Sequence, residues 1–282
     1  MPYRPANNEP ICRGQTEVRM TVRLEAFEYG EGPPLAILHG LFGSARNWSG
    51  VAQRLAAHHR VIALDLRNHG ASPWADTMDY AEMAEDVRAT LHASGHRRFA
   101  LLGHSMGGKV AMVLALADGE AVTRLVVVDI APAAYAPHHL GYVRAMRALD
   151  LGAIKRRAEA DARLASAVGD AAERAFLLQN LVFPSAAAGG EVRWRLNLAA
   201  IERAMPCLVG FPALPPGAAY PGPALFVAGA RSDYLRPEHE PEVRRLFPNA
   251  RIARIADAGH WLHAEQPQAF LDIVQPFLAA GS

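Results

Sequence analysis

Cysteine is nearly absent from this chain of 282 residues: only Cys12 and Cys207 occur, far apart and without metal-ligand spacing. A disulfide framework is not expected, and a reducing compartment fits better. An excess of one charge is missing too. The 29 basic and 28 acidic residues leave a net charge of +1, and no charged block is long enough to suggest a nucleic-acid or membrane surface. No apolar run approaches the length of a membrane span. The polar, proline-containing stretch Met1 to Thr16 lacks the apolar centre of a signal peptide. There is no internal repeat and no long low-complexity segment. Together these absences point to a soluble, cytoplasmic protein without nucleic-acid or membrane-spanning roles.

What is present is apolar substance in short pieces. Hydrophobic residues make up 51% of the chain, enough for one large α/β domain or a core with an inserted subdomain. Val18 to Tyr29 alternates and reads as one or two strands, closed by the turn Gly30-Glu-Gly-Pro33. Leu35 to Leu38, Val61 to Leu64, Phe99 to Leu102 and Leu125 to Val128 are short, fully apolar strands. Helical patterns lie between them, over Ala45 to His58, Tyr80 to Ser94 and Lys109 to Ala117. Buried strands alternating with helices predict a mostly parallel sheet covered on both faces.

The alternation stops at Ala131. As far as Pro216 the pattern is helical (Tyr142 to Ala148, Ile154 to Ala167, Ala171 to Leu181, Trp194 to Met205), with no convincing strand. It resumes with Ala224 to Ala228, Pro237 to Phe247, Ala250 to Ile255 and Gln266 to Ala279. The expected organisation is an α/β core over residues 1–130 and 217–282, interrupted by a helical cap over 131–216. Inserts at the carboxyl ends of strands usually border the ligand site.

The strand Phe99-Ala-Leu-Leu102 runs directly into Gly103-His-Ser-Met-Gly107, and a helix-forming run follows at once. Strand, sharp turn and helix with serine at the corner is the context in which Gly-x-Ser-x-Gly exposes a nucleophile. A serine hydroxyl needs a base to take its proton. His260 is the candidate: it follows the strand Ala250 to Ile255 and a glycine, which puts it on a loop at the same sheet edge as Ser105. His263 is expected to pack or bond locally, and the turn should aim His104 away from the serine. Two acids can orient the imidazole: Asp129, at the end of the strand Leu125 to Val128, and Asp233, in the loop after Gly229. Both give the chain order Ser, Asp, His. The oxyanion donors expected are the backbone amides of Met106, directly after the serine, and of Leu41 in His39-Gly-Leu-Phe-Gly43.

These segments together, with Asp65-Leu-Arg-Asn-His-Gly-Ala-Ser72, resemble the α/β-hydrolase superfamily. Leu38-His-Gly-Leu-Phe-Gly-Ser44, Arg67-Asn-His-Gly70, Val128-Asp-Ile-Ala-Pro132, Trp194-Arg-Leu-Asn197 and Gly259-His-Trp-Leu-His263 are similar to its YbfF-like esterase branch. The resemblance runs from about Arg23 to Leu278 and implies an α/β-hydrolase fold with an inserted helical cap. The superfamily's usual acid lies three residues after the glycine that ends the penultimate strand, which is Ser232 here. The YbfF-like branch takes its acid from the preceding core strand, and that residue matches Asp129. The resemblance therefore favours Asp129 over Asp233, and it makes Asp65 to Ser72 a mostly structural loop beside the site.

The expected activity is a serine hydrolase cleaving small-molecule acyl esters or thioesters, with no metal or organic cofactor. Phe42, Trp261, Phe183 and Trp194 are candidate lining residues for the acyl group. Rivals are a cofactor-free perhydrolase, a carbon–carbon bond hydrolase and a non-catalytic binder on the same scaffold. Intact Ser105 and His260 argue against the last, and serine in place of aspartate argues against dehalogenase or epoxide-hydrolase chemistry. Acyl length, leaving group and oligomeric state have no signature in the sequence.

Overall fold

A computed structural model describes residues 20–184 and 190–280. Met1 to Thr16, Cys12 and the first two residues of the expected opening strand, Val18 and Arg19, lie outside the described residues. Nine strands are described: β1 (Ala26–Tyr29), β2 (Pro34–Leu38), β3 (Arg60–Leu64), β4 (Phe99–His104), β5 (Val122–Val128), β6 (Leu181–Val182), β7 (Arg193–Trp194), β8 (Ala224–Gly229) and β9 (Ala250–Ile255). Ten α-helices accompany them: α1 (Ser49–Leu55), α2 (Tyr80–Ala93), α3 (Met106–Ala117), α4 (His139–Ala148), α5 (Arg157–Leu164), α6 (Ala171–Leu178), α7 (Leu198–Leu208), α8 (Glu240–Leu246), α9 (Leu262–Glu265) and α10 (Pro267–Ala279). No helix among the described residues is long and apolar enough to cross a membrane.

Seven strands form one sheet in the order β1-β3-β2-β4-β5-β8-β9, parallel except for β1. The runs are apolar throughout because alternate residues serve different faces. On β2, Ala36 and Leu38 join a core beneath α2, α3 and α8, while Leu35 and Ile37 join a second core beneath α1 and α10. On β5, Leu125 and Val127 face the first core and Val126 and Val128 the second. The start of α2 is set by a capping box: Asp79 accepts from the Glu82 amide at 2.8 Å, and the Glu82 carboxylate accepts from the Asp79 amide at 3.1 Å.

Between β5 and β8 the chain builds α4 to α7. Against the expectation of no strand there, it also builds the antiparallel pair β6–β7. Two residues per strand are too few for a period-2 pattern to be visible, and Trp194, expected at the head of a helix, sits on β7 with α7 beginning only at Leu198. The opening alternation likewise yields a strand only over Ala26–Tyr29 among its described residues. Cys207 is not a free thiol, a correction to the two separate cysteines expected.

One side chain ties together the stretches that flank α4 to α7. Lys109 on α3 is 1% exposed, and its ammonium donates to the carbonyls of Ala133 (2.8 Å), Val209 (3.2 Å) and Gly210. The Tyr135 ring lies 4.7 Å from the nitrogen. Burial lowers the lysine pKa to about 7. Between that value and the ordinary lysine value near 10.4, the unfolded chain keeps a proton that the folded chain has released. Stability from this group therefore rises with pH across that window, by on the order of 1 kcal/mol per pH unit. Urea unfolding at pH 7 and pH 9 is expected to show that gain in the parent protein relative to Lys109→Met, which lacks the group.

Candidate active site

The site forms where β4, β5 and β9 end. In register, His104 lies beside Val128, so the next residue of each strand, Ser105 and Asp129, leaves the sheet at the same edge. The Ser105 amide donates to Val128 O at 3.0 Å and the Asp129 amide to Val227 O at 2.8 Å. Both residues have left-handed backbones, with φ of 52° at Ser105 and 51° at Asp129. For a residue with a Cβ, this conformation costs on the order of 1–3 kcal/mol and is held only by its surroundings. At Ser105 the surroundings are two glycines. A Cβ on Gly103 would lie 2.2 Å from the Gly107 carbonyl oxygen, and one on Gly107 would lie 2.5 Å from His39 O. Only glycine lets strand, helix and the His39 loop pass this closely.

Asp129 is fully buried, and three donors converge on its carboxylate. Oδ1 accepts from the Gly229 amide at 3.0 Å; Oδ2 accepts from His260 Nδ1–H at 2.7 Å and from the Ser232 hydroxyl. The carboxylate thus fixes the His260 tautomer, with the proton on Nδ1 and Nε2 left to accept. Tyr234 stacks on the imidazole, centroids 4.1 Å apart and planes 29° from parallel. His104 Nε2–H donates to the His260 carbonyl at 2.9 Å and so holds the loop that carries the imidazole. Asp233, the alternative acid, is exposed and makes none of these contacts.

The His39 loop supplies free amides. Gly43 N donates to Gly40 O at 2.9 Å, and Phe42 N, at a residue with φ of 63°, donates to His69 Nε2 at 3.2 Å. The Leu41 amide has no acceptor among the described residues. Met106 opens α3, and the first amide of a helix has no intrahelical acceptor. The Asp65 to Ser72 loop is the scaffold beneath. Asp65 accepts from the Ala45 and Ala71 amides, both at 2.7 Å. His39 accepts from Leu66 N at 3.0 Å and donates to Gly40 O at 2.8 Å, while His69 donates to Arg67 O at 3.0 Å. Burial holds both imidazoles neutral, lowering His39 to about 4 and His69 to about 3. Backbone groups on both sides give each ring one tautomer. His263 is equally buried, stacked on Trp48 at 4.0 Å, and lowered to about 3 by burial first and then by His260.

A cavity of about 60 Å³ connects these parts, with Ser105, His260, Leu41, Phe42 and Trp261 in its walls. The insert closes it with His139, Tyr142, Phe176 and Leu177. Of the four aromatic residues expected to line it, Phe42 and Trp261 are there. Phe183 and Trp194 are not: Trp194 is 7% exposed in the core with its indole N–H donated to Met146 O at 3.1 Å, and Phe183 lies beneath the Arg157 guanidinium. Ser232 and Tyr234 were not anticipated. Ser232 had a signal, because it occupies the position where an acid is usual, and a hydroxyl there reaches the displaced carboxylate. Among the described residues no group of three or more His, Cys, Asp or Glu side chains could hold a metal.

Residues 33–267 match the protein family described as the alpha/beta hydrolase fold. The chain is 42% identical over 255 residues to the sn-1-specific diacylglycerol lipase ABHD11 of Mus musculus, covering 88% of this chain and 81% of that protein. It is 35% identical over 246 residues to esterase YbfF of Escherichia coli strain K12, covering 87% and 92%. Among solved structures, a marine microorganism esterase superposes with a TM-score of 0.85 at 36% identity, covering 91% of this chain and 99% of that one. The chain belongs to the α/β-hydrolase family, in its YbfF-like branch, and is a carboxylic ester hydrolase.

Proposed function

We propose that the enzyme cleaves small-molecule acyl esters or thioesters through an acyl-enzyme on Ser105. His260 Nε2 takes the Ser105 proton as the hydroxyl attacks the carbonyl, and returns it to the leaving group. Asp129 holds the imidazole in the accepting tautomer and offsets the charge of the imidazolium. The amides of Leu41 and Met106 stabilise the oxyanion, and water, deprotonated by His260, then releases the acid. Residues 131–216 act as the cap that shapes the acyl pocket, with Phe42, Trp261, Phe176 and Leu177 as its apolar walls. The observation that carries this reading is the 2.7 Å bond from His260 to a fully buried Asp129, in a pocket shared with a serine at φ 52°. No organic cofactor or metal enters any step.

Intact-mass labelling with a fluorophosphonate tests it. The parent protein is expected to gain one adduct per chain, and Ser105→Ala none. A folded parent that stays unlabelled by this probe and by a smaller one defeats the reading, because an activated serine open to substrate is its first requirement.

A further inference from the structure

Beside the catalytic cavity lies a second and larger one, of about 300 Å³. The two share Asn47, and both run along α6: Phe176 and Leu177 face the first cavity, Ala175 and Gln179 the second. The chemistry of the second is unlike anything in the proposed mechanism. Arg46, Arg157 and Arg195 converge on it from three parts of the chain: the turn after the His39 loop, α5, and the residue after β7. Among the described residues none of the three forms an ion pair. Elsewhere arginines are commonly paired, as at Arg60, Arg67, Arg88, Arg174 and Arg254. The cluster does not reflect a basic protein either, since the net charge is only +1.

One of these guanidinium groups has a side-chain anchor, and a second arginine is fixed at its backbone. Arg157 Nη2 donates to Leu181 O at 2.9 Å while the guanidinium lies over the Phe183 ring, and its other N–H groups have no acceptor among the described residues. The backbone of Arg195 is fixed by Asn180 O at 2.8 Å. Burial and the neighbouring charge of Arg46, Arg193 and Arg157 lower the Arg195 pKa, with Asp65 as the opposing carboxylate. The oxygens of Asp65 already accept the Ala45 and Ala71 amides. Repulsion among like charges, which Asp65 offsets only in part, is relieved by a bound anion, and arginine forks suit the several oxygens of a phosphate.

We infer that this second cavity is an anion subsite that binds a phosphate monoester carried on the leaving group of the substrate, while the reacting carbonyl lies at Ser105. The inference rests on the proposed acyl-ester chemistry of that serine. The hydrogen bond from Asn47 Nδ2 to Gln179 Oε1, 2.8 Å long and exposed, spans the boundary between the cavities and is the contact a long substrate displaces. Asn180 couples them from beneath: it lines the second cavity and donates to Phe42 O, in the wall of the first, at 2.8 Å.

The test compares matched substrates: a butyryl ester of glycerol against that of glycerol 3-phosphate, and a butyryl thioester of pantetheine against that of phosphopantetheine. The first pair tests a phosphoglycerol source of the phosphate, the second a phosphopantetheine source. In at least one pair the phosphorylated member is expected to have a kcat/KM at least about tenfold higher, since 1.4 kcal/mol of added binding is a factor of ten. In Arg157→Gln/Arg195→Gln that ratio is expected to fall towards one. A ratio near one for both pairs in the parent, or a ratio the double variant leaves unmoved, overturns the subsite. Titration calorimetry with pyrophosphate judges the cavity apart from catalysis. Binding to the parent and not to the folded double variant upholds the subsite even if no ester is turned over, an outcome that instead defeats the Ser105 reading. Absence of pyrophosphate binding to the parent overturns it.

Discussion

Asp129→Asn is expected to lower kcat by about 10⁴-fold while the protein stays folded, the scale on which losing the correct histidine tautomer acts in a serine triad. The size follows from the bonds at that carboxylate. Asp129 Oδ2 accepts from His260 Nδ1–H, which forces the lone pair of His260 to Nε2. Gly229 N and the Ser232 hydroxyl also donate to Asp129. An asparagine keeps one oxygen for these donors and turns an NH₂ towards the rest. Where that NH₂ meets Nδ1, the imidazole accepts there and carries its proton on Nε2, and a protonated Nε2 cannot deprotonate Ser105. Asp233→Asn, at an exposed residue without these contacts, is expected to stay within about twofold, in the range of surface changes away from a site. Steady-state hydrolysis of a chromogenic butyrate ester, with circular dichroism of both variants, checks the ranking. The reverse order would move the acid to the later loop.

Arg67→Met is expected to cost about 3–5 kcal/mol of stability, the usual range when one partner of a buried ion pair is removed. Arg67 and Asp86 are 1% and 0% exposed. The guanidinium forks onto Asp86 at 2.5 and 2.9 Å, reaches Glu82 at 3.1 Å, and donates further to Thr77 O and Met20 O. Methionine fills similar volume but leaves two buried carboxylates facing each other without a cation. Urea denaturation should show the midpoint fall with little change in slope. In Arg67→Met/Asp86→Leu much of the loss should return, because the larger part of the cost is an uncompensated charge and not a lost attraction. A single variant as stable as the parent would mean that water already reaches these carboxylates. Arg67 sits in the segment Arg67-Asn-His-Gly70, and His69 from that segment holds the Phe42 amide. The ion pair therefore supports the His39 loop from a distance, through His69 and the Phe42 amide.

The central sheet was legible because its parallel strands are buried on both faces and read as unbroken apolar runs, as in Leu35 to Leu38 and Leu125 to Val128. Ser105 was legible because a strand, a glycine-flanked corner and a helix follow one another without a gap. The residues alone left Asp129 and Asp233 open, since each ends a strand or follows one. What separates them is burial and side-chain direction, and neither is a local property of the chain. The pocket walls failed for the same reason. Phe183 and Trp194 have the residue type of a pocket wall within a helical stretch, but Trp194 finds its hydrogen-bond partner inside the core and lies outside the cavity. His139, Tyr142 and Phe176 reach the pocket through the docking of α4 and α6, which follows from packing over distances that no sequence window spans. Arg46, Arg157 and Arg195 are likewise scattered in the chain and meet only in space.

Lys109 binds the stretch before α4, at Ala133, and the stretch after α7, at Val209 and Gly210, with a single ammonium. Between those carbonyls the segment is tied to the core at further points, with the Asn180 side chain donating to Phe42 O at 2.8 Å and the Asn197 amide to Asn68 O at 3.0 Å. The carbonyls belong to the backbone, so they are present whatever side chains the intervening segment carries. A segment grafted between the same two feet still has to reproduce the Asn180 and Asn197 contacts to keep Phe42 and Asn68 where they are. Where variety among relatives of such an enzyme is sought, the lysine marks where the cuts should be made.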